Sequence, residues 1–487
     1  MSSEKLRRVF AARFDVRRLP LLLIAIILGV ATICAIAIRF SERLPINPWE
    51  AAIAMEAMRL EAGLPLYESG HATHMYGPLL TVALAGVFYV TGLNLLAARI
   101  VFSFFAFALA FLLSTILCRG RSRVYWLLAV LLFLGIAFRT NLILYSAQPD
   151  CAAALFAVIG LYLWITRQKS RMRVVFSIAF FLCAMLFKQT AAAFALIPIV
   201  HALIWKRRFS ELAISLLPAV SIIVTLIAIR LVWPQLFWAM VTIPASIKVY
   251  YERALGISFY LFATFPVFIV ALVALFSSRT RIGERERWIC SAIIVLVPVS
   301  IWTICKGGGG YSSLLFAYLA MTALFVALLD AISAWITSLP VYRGFLVSCI
   351  IAVAICFSFF IQSERAMALL FTRSGDEKYD SAVALARRLG AGVISPQDPT
   401  IAFRANEYFG RSLFFELDAH AVNGNWPAEL PESMQQELAR SNYLIQVKSY
   451  VPTSVLDRAL GSGKFQALAA PELNDSIYTL WTKTKGE

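Results

Sequence analysis

The chain is short of charge. Only 15% of its 487 residues are Asp, Glu, Lys or Arg, against about a quarter in an ordinary soluble chain. That shortfall excludes a globular enzyme surrounded by water, and it excludes a disordered chain. Cysteine chemistry is missing too. The eight cysteines, at 34, 118, 151, 183, 290, 305, 349 and 356, lie in or beside apolar runs without CxxC spacing. Residues 363–487 contain none. A disulfide framework or a zinc cluster is therefore excluded, and the thiols read as small buried apolar groups. There is no internal repeat and no low-complexity segment. No continuous basic face interleaved with aromatics runs through the chain, so nucleic acid is not among its partners.

What the chain has is apolar residue: 60% hydrophobic, 13% aromatic, with a mean hydropathy of +0.76. The formal net charge of +16 is not spread evenly. Residues 363–487 are slightly acidic, so the whole excess of Lys and Arg lies in residues 1–362. There it collects in short breaks between apolar runs. The breaks are Lys5 to Arg18, Arg119 to Arg123, Arg167 to Arg173, Lys206 to Arg208, Arg279 to Arg287, and Arg343 alone. Basic residues mark cytoplasmic loops, so the charge is a topology label.

A span needs about 20 apolar residues. The runs at 19–39, 95–117, 125–143, 150–166, 174–190, 191–205, 212–231, 258–276, 288–304, 313–335 and 344–361 give about eleven spans. Two fall between successive basic clusters, which puts the N-terminus inside and the C-terminus outside. The first run is not a cleaved signal peptide, since no small-x-small site ends it. Residues 77–94 imitate a span, but a crossing there would invert every later cluster. They are expected to lie on the outer surface, leaving one long outer loop at 40–94. The expected fold is a multi-pass α-helical membrane protein with two surface helices in that loop. Residues 1–362 form the membrane domain. Residues 363–487 form a small outer α/β domain, with a helix at 376–389 and strands at 391–395, 443–447 and 477–481.

The loop opens with Asn47-Pro48-Trp49-Glu50. Asn47 is a helix N-cap, Pro48 suits N1, and Glu50 completes a capping box. The helix should end at Gly63, with Glu56 and Glu61 on a polar face. A second helix starts at Tyr76-Gly77-Pro78.

Ionisable groups at a membrane boundary are costly and therefore informative. Asp150, in Gln148-Pro149-Asp150, sits at the outer mouth of a span; it suits a helix N-terminus and chemistry equally well. Lys188 sits with Gln189 and Thr190 where two apolar runs abut. Snorkelling is the plain reading of that lysine, and an anion site is the functional one. In Lys306-Gly307-Gly308-Gly309-Gly310-Tyr311, Gly308, Gly309 and their neighbours offer backbone N–H groups beside a cation. That suits a phosphate, although a flexible turn is the plain alternative; it is not a Walker motif, having no GK[ST]. His71 and His74 share the first loop and suit a substrate contact better than a metal. Lys248, Tyr250, Tyr251 and Arg253 suit a lipid phosphate, a sugar or the membrane interface.

Together these groups put acids and cations on one outer face. An acid can take a proton from a hydroxyl, and cations with glycine N–H groups can stabilise a departing phosphate. The chemistry described is glycosyl transfer from a polyprenyl-phosphate sugar. A transporter or flippase would need polar groups through the middle of its spans or inverted repeats, and a non-catalytic membrane scaffold is the third reading.

The stretches NPWEAAIAMEAMRLEAGLPLY, YGPLLTVALAGVFYVTG, QPDCAAALFAVIGLYLW, FKQTAAAFALIP and KGGGGYSSLLFAYLA resemble the GT-C superfamily of integral-membrane glycosyltransferases, in its bacterial protein-mannosyltransferase and aminoarabinose-transferase branch. In that family the first outer loop carries a catalytic acid, often in an Asp-Glu pair. Here the pair is Trp49-Glu50, so the resemblance implies Glu50 as general base. It implies Asp150 as the second acid, orienting the acceptor, and Lys188 as the lysine at a span end. Lys188, Gln189, Lys306, Gly308, Gly309, Tyr311, Tyr76, His74, Lys248 and Arg253 are the expected donor-phosphate and substrate contacts. The resemblance implies an inverting enzyme of the bacterial inner membrane with its site facing outward. Its donor is an undecaprenyl-phosphate-linked monosaccharide and its acceptor a glycan, lipid or protein hydroxyl. If the reaction uses a divalent cation, Mg or Mn, Glu50 and Asp150 are the ligands to expect.

Overall fold

The computed structural model describes residues 16–45, 47–68, 72–277, 282–307, 309–361, 374–421, 426–448, 454–474 and 476–484. His71 and Gly308 lie outside the described residues. The membrane part is a bundle of apolar helices. In chain order these are α1 (Leu19–Ser41), α2 (Pro48–Glu61), α3 (Pro78–Thr91), α4 (Leu95–Leu117), α5 (Arg123–Arg139), α6 (Asp150–Ile165) and α7 (Arg171–Phe187). They continue with α8 (Gln189–Lys206), α9 (Phe209–Val232), α10 (Arg253–Ala263), α11 (Pro266–Ser277) and α12 (Glu284–Ile304). The last three are α13 (Leu315–Ala327), α14 (Leu329–Ser338) and α15 (Val341–Phe360).

Among the described residues, six helices are long and apolar enough to cross a membrane. The number rises to eight if the bent pairs α10–α11 (73°) and the helical stretch through α13 and α14 (45°) each count as one span. Each of the eleven expected runs is helical. Three, α5, α6 and α7, have only 17, 16 and 17 residues. At about 1.5 Å per residue they fall short of a hydrocarbon core about 30 Å thick. Their polar termini, Arg139, Asp150 and the Lys188 that follows Phe187, gather at one end of the bundle. That end is therefore recessed.

Helix α3, with 14 residues, is likewise too short to span, as expected for a surface helix. It packs on α2 and against the end of α7. The approach is close: a Cβ on Gly77 would lie 2.1 Å from the Leu186 carbonyl oxygen. Only glycine permits that contact.

Helix α2 starts as its sequence dictates. The Asn47 side chain accepts from the Glu50 N–H at 2.9 Å, Pro48 is at N1, and Gly63 follows the end in the left-handed region (φ +79°). Its surroundings differ from the expectation of an amphipathic surface helix. Residues 50–58 are all buried, including Glu56. The C-terminal domain lies over it: Trp49 packs on Phe414 and Phe415, with ring centroids 6.3 and 5.6 Å away.

That domain has helices α16 (Ser374–Leu389), α17 (Pro399–Asn406), α18 (Leu413–Ala419), α19 (Glu432–Arg440) and α20 (Ser454–Leu460) around one sheet. The strands are β1 (Val393–Ile394), β2 (Tyr443–Val447), β3 (Phe465–Leu468) and β4 (Tyr478–Lys483), in the order β1-β2-β4-β3. β1 and β2 are parallel, and the other pairs are antiparallel. Strand β3 was not expected. Its sequence, FQAL, has no β-branched residue, and it is an edge strand with three exposed residues. Arg43 to Asp380 (2.7 Å) and Arg404 to the Leu93 carbonyl (3.2 Å) tie the domain to the bundle.

The basic breaks meet at the opposite end. Arg17 donates to the Thr337 carbonyl, Arg285 to the Leu117 carbonyl, and Arg121 to the Val326 and Ala327 carbonyls. The bundle thus has a basic end and a domain-bearing end.

Candidate functional site

A cavity of about 510 Å³ opens at the domain-bearing end. Several separate stretches of sequence wall it. Asn47 and Trp49 come from the start of α2, and Met75 and Tyr76 from the turn before α3. Lys188, Gln189 and Thr190 come from the α7–α8 junction, and Lys306, Gly307, Gly309 and Gly310 from the glycine run. Of the residues expected at the site, Tyr76, Lys188, Gln189, Lys306 and Gly309 line this one cavity.

Two ammonium groups reach it in different states. Lys188 caps the end of α7 and its Nζ lies 2.6 Å from Asp150 Oδ1. It also sits 5.8 Å from the Tyr76 ring centroid. Asp150 is the first residue of α6, buried behind Lys188. The Lys306 ammonium has no carboxylate partner among the described residues. It donates to the Pro244 carbonyl at 2.7 Å and lies 4.1 Å from the Trp302 ring. Desolvation, with nothing opposing it, lowers its pKa from the ordinary lysine value. A half-buried cation in a cavity without its own counter-ion is a place for an anion.

The glycine run works differently from the expectation. Gly307 N–H donates to the Lys248 carbonyl and Gly309 N–H to the Lys306 carbonyl, both at 2.9 Å. Those amides are spent on the backbone and are not presented to a phosphate. The glycines instead allow close packing: a Cβ on Gly309 would lie 2.6 Å from the Ile304 carbonyl oxygen.

Glu50 requires a larger correction. It does not line the cavity. It is fully buried behind Asn47 and Trp49, in a two-pronged ion pair with Arg99: Nε to Oε1 at 3.1 Å and Nη2 to Oε2 at 2.7 Å. Oε1 also accepts from the Ala147 N–H at 3.1 Å. Arg99 in turn donates to the Arg39, Glu42 and Leu44 carbonyls at the end of α1. The pair therefore joins α1, α2, α4 and the turn before α6. A general base must reach the proton it removes, and here both carboxylate oxygens are already accepting.

His74 also does not line the cavity. Its ring is fully buried. Nδ1 accepts from the Tyr76 N–H at 3.2 Å, so Nε2 carries the proton toward Thr81 Oγ1. Burial holds its pKa down at about 4, and it packs edge-on against Tyr67 and Phe415. Lys248 and Arg253 are exposed and flank the Tyr250 ring, at 5.1 and 4.1 Å from its centroid. They sit outside the cavity lining. Tyr311 is 38% exposed, beside Tyr260.

The donor set does not fit a divalent metal. No group of three His, Cys, Asp or Glu gathers among the described residues. Glu50 and Asp150 each already hold a cationic side chain.

Several residues at the site escaped sequence reasoning. Asn47, Trp49, Gln148, Trp302, Ser312 and Ser313 line the cavity. Arg99 and Arg139 are fully buried at its end of the bundle. Arg139 Nη2 donates to Thr264 Oγ1 (2.6 Å) and to the Tyr318 (3.0 Å) and Tyr260 (3.3 Å) hydroxyls. Each stood in the sequence as a lone arginine within or ending an apolar run, which is itself a signal of function.

A second, more polar cavity of about 620 Å³ lies between the C-terminal domain and the bundle. Glu68, Trp238, Arg411, Glu416, His420 and Gln436 are among its walls.

No family model matches the sequence, and no curated protein matches it. Solved structures do. The oligosaccharyltransferase of Archaeoglobus fulgidus, tethered to an acceptor peptide, is 12% identical with a TM-score of 0.49 over 86% of this chain and 68% of that one. ArnT from Cupriavidus metallidurans, bound to undecaprenyl phosphate, is 11% identical with a TM-score of 0.52. That second likeness spans 96% of this chain and 98% of ArnT, so it takes in the C-terminal domain as well as the bundle. The chain therefore shares the fold of ArnT, a multi-pass bundle of apolar, membrane-spanning helices carrying a further domain.

Proposed function

We propose that the protein is a glycosyltransferase that moves a monosaccharide from a polyprenyl-phosphate carrier to an acceptor hydroxyl. The observation that carries this reading is the cavity itself. It joins Lys188 and Lys306 to Trp49 and Tyr76 at the recessed end of an apolar bundle. A lipid-borne phosphate can enter such a site from the bilayer, and the two ammonium groups meet its charge. ArnT, of the same fold, binds undecaprenyl phosphate, which supports a polyprenyl carrier here.

In the reaction the acceptor oxygen attacks the anomeric carbon. The bond from that carbon to the phosphate oxygen breaks, and the electron pair leaves with the lipid phosphate. The acceptor proton passes to a carboxylate. We assign that carboxylate to Asp150: it lies one side chain behind the cavity wall, its Oδ1 held by Lys188, which lines the cavity, whereas both oxygens of Glu50 are held by Arg99 and one of them also by the Ala147 N–H. Departure of the phosphate draws Lys188 toward the new charge and frees Asp150 to accept the proton. Attack opposite the leaving group inverts the anomeric centre. A lipid phosphate is a good leaving group, so no general acid is needed, and the cations replace a metal in stabilising it.

The basic end of the bundle is cytoplasmic in this reading, and the cavity faces the outer side of a bacterial inner membrane. The polar cavity under the outer domain is the approach for a hydrophilic acceptor. The test is sugar transfer by purified protein with polyprenyl-phosphate donors. Asp150→Asn should lower kcat by about 100-fold or more with donor binding retained, and full activity in that variant would refute the assignment.

A further inference from the structure

A third cavity, of about 440 Å³, lies at the other end of the bundle, among α4, α6, α8, α12 and α13. Its walls are almost wholly apolar, with Leu161, Trp288, Leu296, Ala320 and Ala323 among them. Such a space does not hold water, since water there would find too few polar partners. Left empty, it would cost the packing of every side chain around it. The apolar filler at hand between membrane helices is a lipid chain.

Arg119, Arg285 and Glu284 also line it. Arg119 is exposed, just beyond the end of α4, and forms no ion pair among the described residues. Arg285, at the start of α12, is held by the Leu117 carbonyl at 2.7 Å, with Glu286 at 3.7 Å. Glu284 does not cancel these charges, because Lys206 at 2.9 Å and Arg287 at 4.0 Å already pair with it. Guanidinium groups therefore stand beside an apolar slot, at the end of the bundle where the basic breaks collect. A basic pocket between membrane helices suits an anionic lipid head group.

We propose that this cavity is a binding site for an anionic glycerophospholipid. One acyl chain occupies the slot and the phosphate rests on Arg119 and Arg285. The occupant is not the polyprenyl donor. The cations of the donor cavity, Lys188 and Lys306, lie at the opposite end of the bundle, and a lipid anchored there would leave Arg119, which forms no ion pair among the described residues, without an anion. The proposal does not depend on the protein transferring sugar.

Native mass spectrometry of the full-length protein tests it, with added phosphatidylglycerol, phosphatidylcholine of the same acyl chains, and undecaprenyl phosphate. Phosphatidylglycerol should be retained about five- to thirtyfold more than phosphatidylcholine, in line with one to two basic contacts. Arg119→Gln should remove that preference and Arg119→Lys should largely restore it, with undecaprenyl phosphate binding unchanged in both. Ala320→Phe, which fills the slot, should reduce retention of both phospholipids. Equal retention of the two phospholipids by the wild type, or a preference untouched by Arg119→Gln and Ala320→Phe together, would overturn the proposal. So would displacement of phosphatidylglycerol by equimolar undecaprenyl phosphate, since the slot would then hold the donor's own chain.

Discussion

At the scale of single residues, what each charge touches decides its role. Glu50 and Asp150 are both acids at helix starts, yet one is clamped by Arg99 and the other is joined to a lysine that faces a cavity. Removing one partner of a buried pair leaves the other charged and unsatisfied, a loss of about 3–5 kcal/mol. Glu50→Gln should therefore lower the melting temperature sharply. The double change Glu50→Gln with Arg99→Gln should recover much of that stability, together with measurable transfer activity. A double variant that folds well and stays inactive would return Glu50 to the catalytic role. Lys306→Ala should weaken undecaprenyl-phosphate binding by about 10- to 100-fold, the worth of one charge-assisted hydrogen bond. Microscale binding assays in detergent would measure it.

In the C-terminal domain, burial raises the Asp418 pKa to about 7, against a single Trp426 hydrogen bond that lowers it. A raised carboxyl pKa favours folding below the unfolded value near 3.8, and that contribution is lost as pH rises through about 7. Asp418→Asn should thus melt higher than the wild type at pH 8, by a few kcal/mol, and within error of it at pH 4. Scanning calorimetry at the two pH values would decide.

At the scale of elements, two junctions build the cavity, and glycine governs both. The start of α3 meets the last turn of α7 through Gly77, and the glycine run meets the end of α12 through Gly309. Gly77→Ala would drive a methyl group into the Leu186 carbonyl, two residues before Lys188. It should cost several kcal/mol in stability and most of the activity. Gly86→Ala in the same α3 helix meets nothing within 4 Å and should be neutral or stabilising by up to about 1 kcal/mol. Equal effects of the two changes in a thermal-shift and activity screen would refute the role of the junction.

Elements like these were legible in the sequence where local chemistry decides. The Asn47-Pro48 start of α2, the short α3 and the Tyr443–Val447 strand all stand where their patterns put them. Burial of α2 was not legible, because its cover, Phe414 and Phe415, comes from 365 residues away along the chain, in the outer domain. The same holds for the site. The sequence marks Lys188 and Lys306 as unusual, but the partner that ties up Glu50 lies 49 residues on, near the start of an apolar run. The glycine run read as an array of free N–H donors, and the neighbouring strand-like loop at Lys248 consumes one of them.

For the whole molecule, the charge asymmetry and the site have a common geometry. Basic breaks occupy one end of the bundle, and the outer domain and cavity occupy the other. In the proposed orientation, Ser462→Cys in the outer domain should react with a membrane-impermeant maleimide in intact cells. Ser122→Cys beside the basic Arg119 to Arg123 break should react only after permeabilisation. Reversed labelling would place the cavity on the cytoplasmic side, where an outward-facing reaction is excluded.

The most direct measurement is transfer of labelled sugar from a panel of polyprenyl-phosphate monosaccharides by the full-length protein in nanodiscs, read as release of free polyprenyl phosphate. At least one donor should be turned over, with Asp150→Asn and Lys306→Ala each slowing release while the proteins remain folded. Tight donor binding with no release from any donor and acceptor, or release unaffected by both substitutions, would contradict the assignment of this cavity as a glycosyltransferase site.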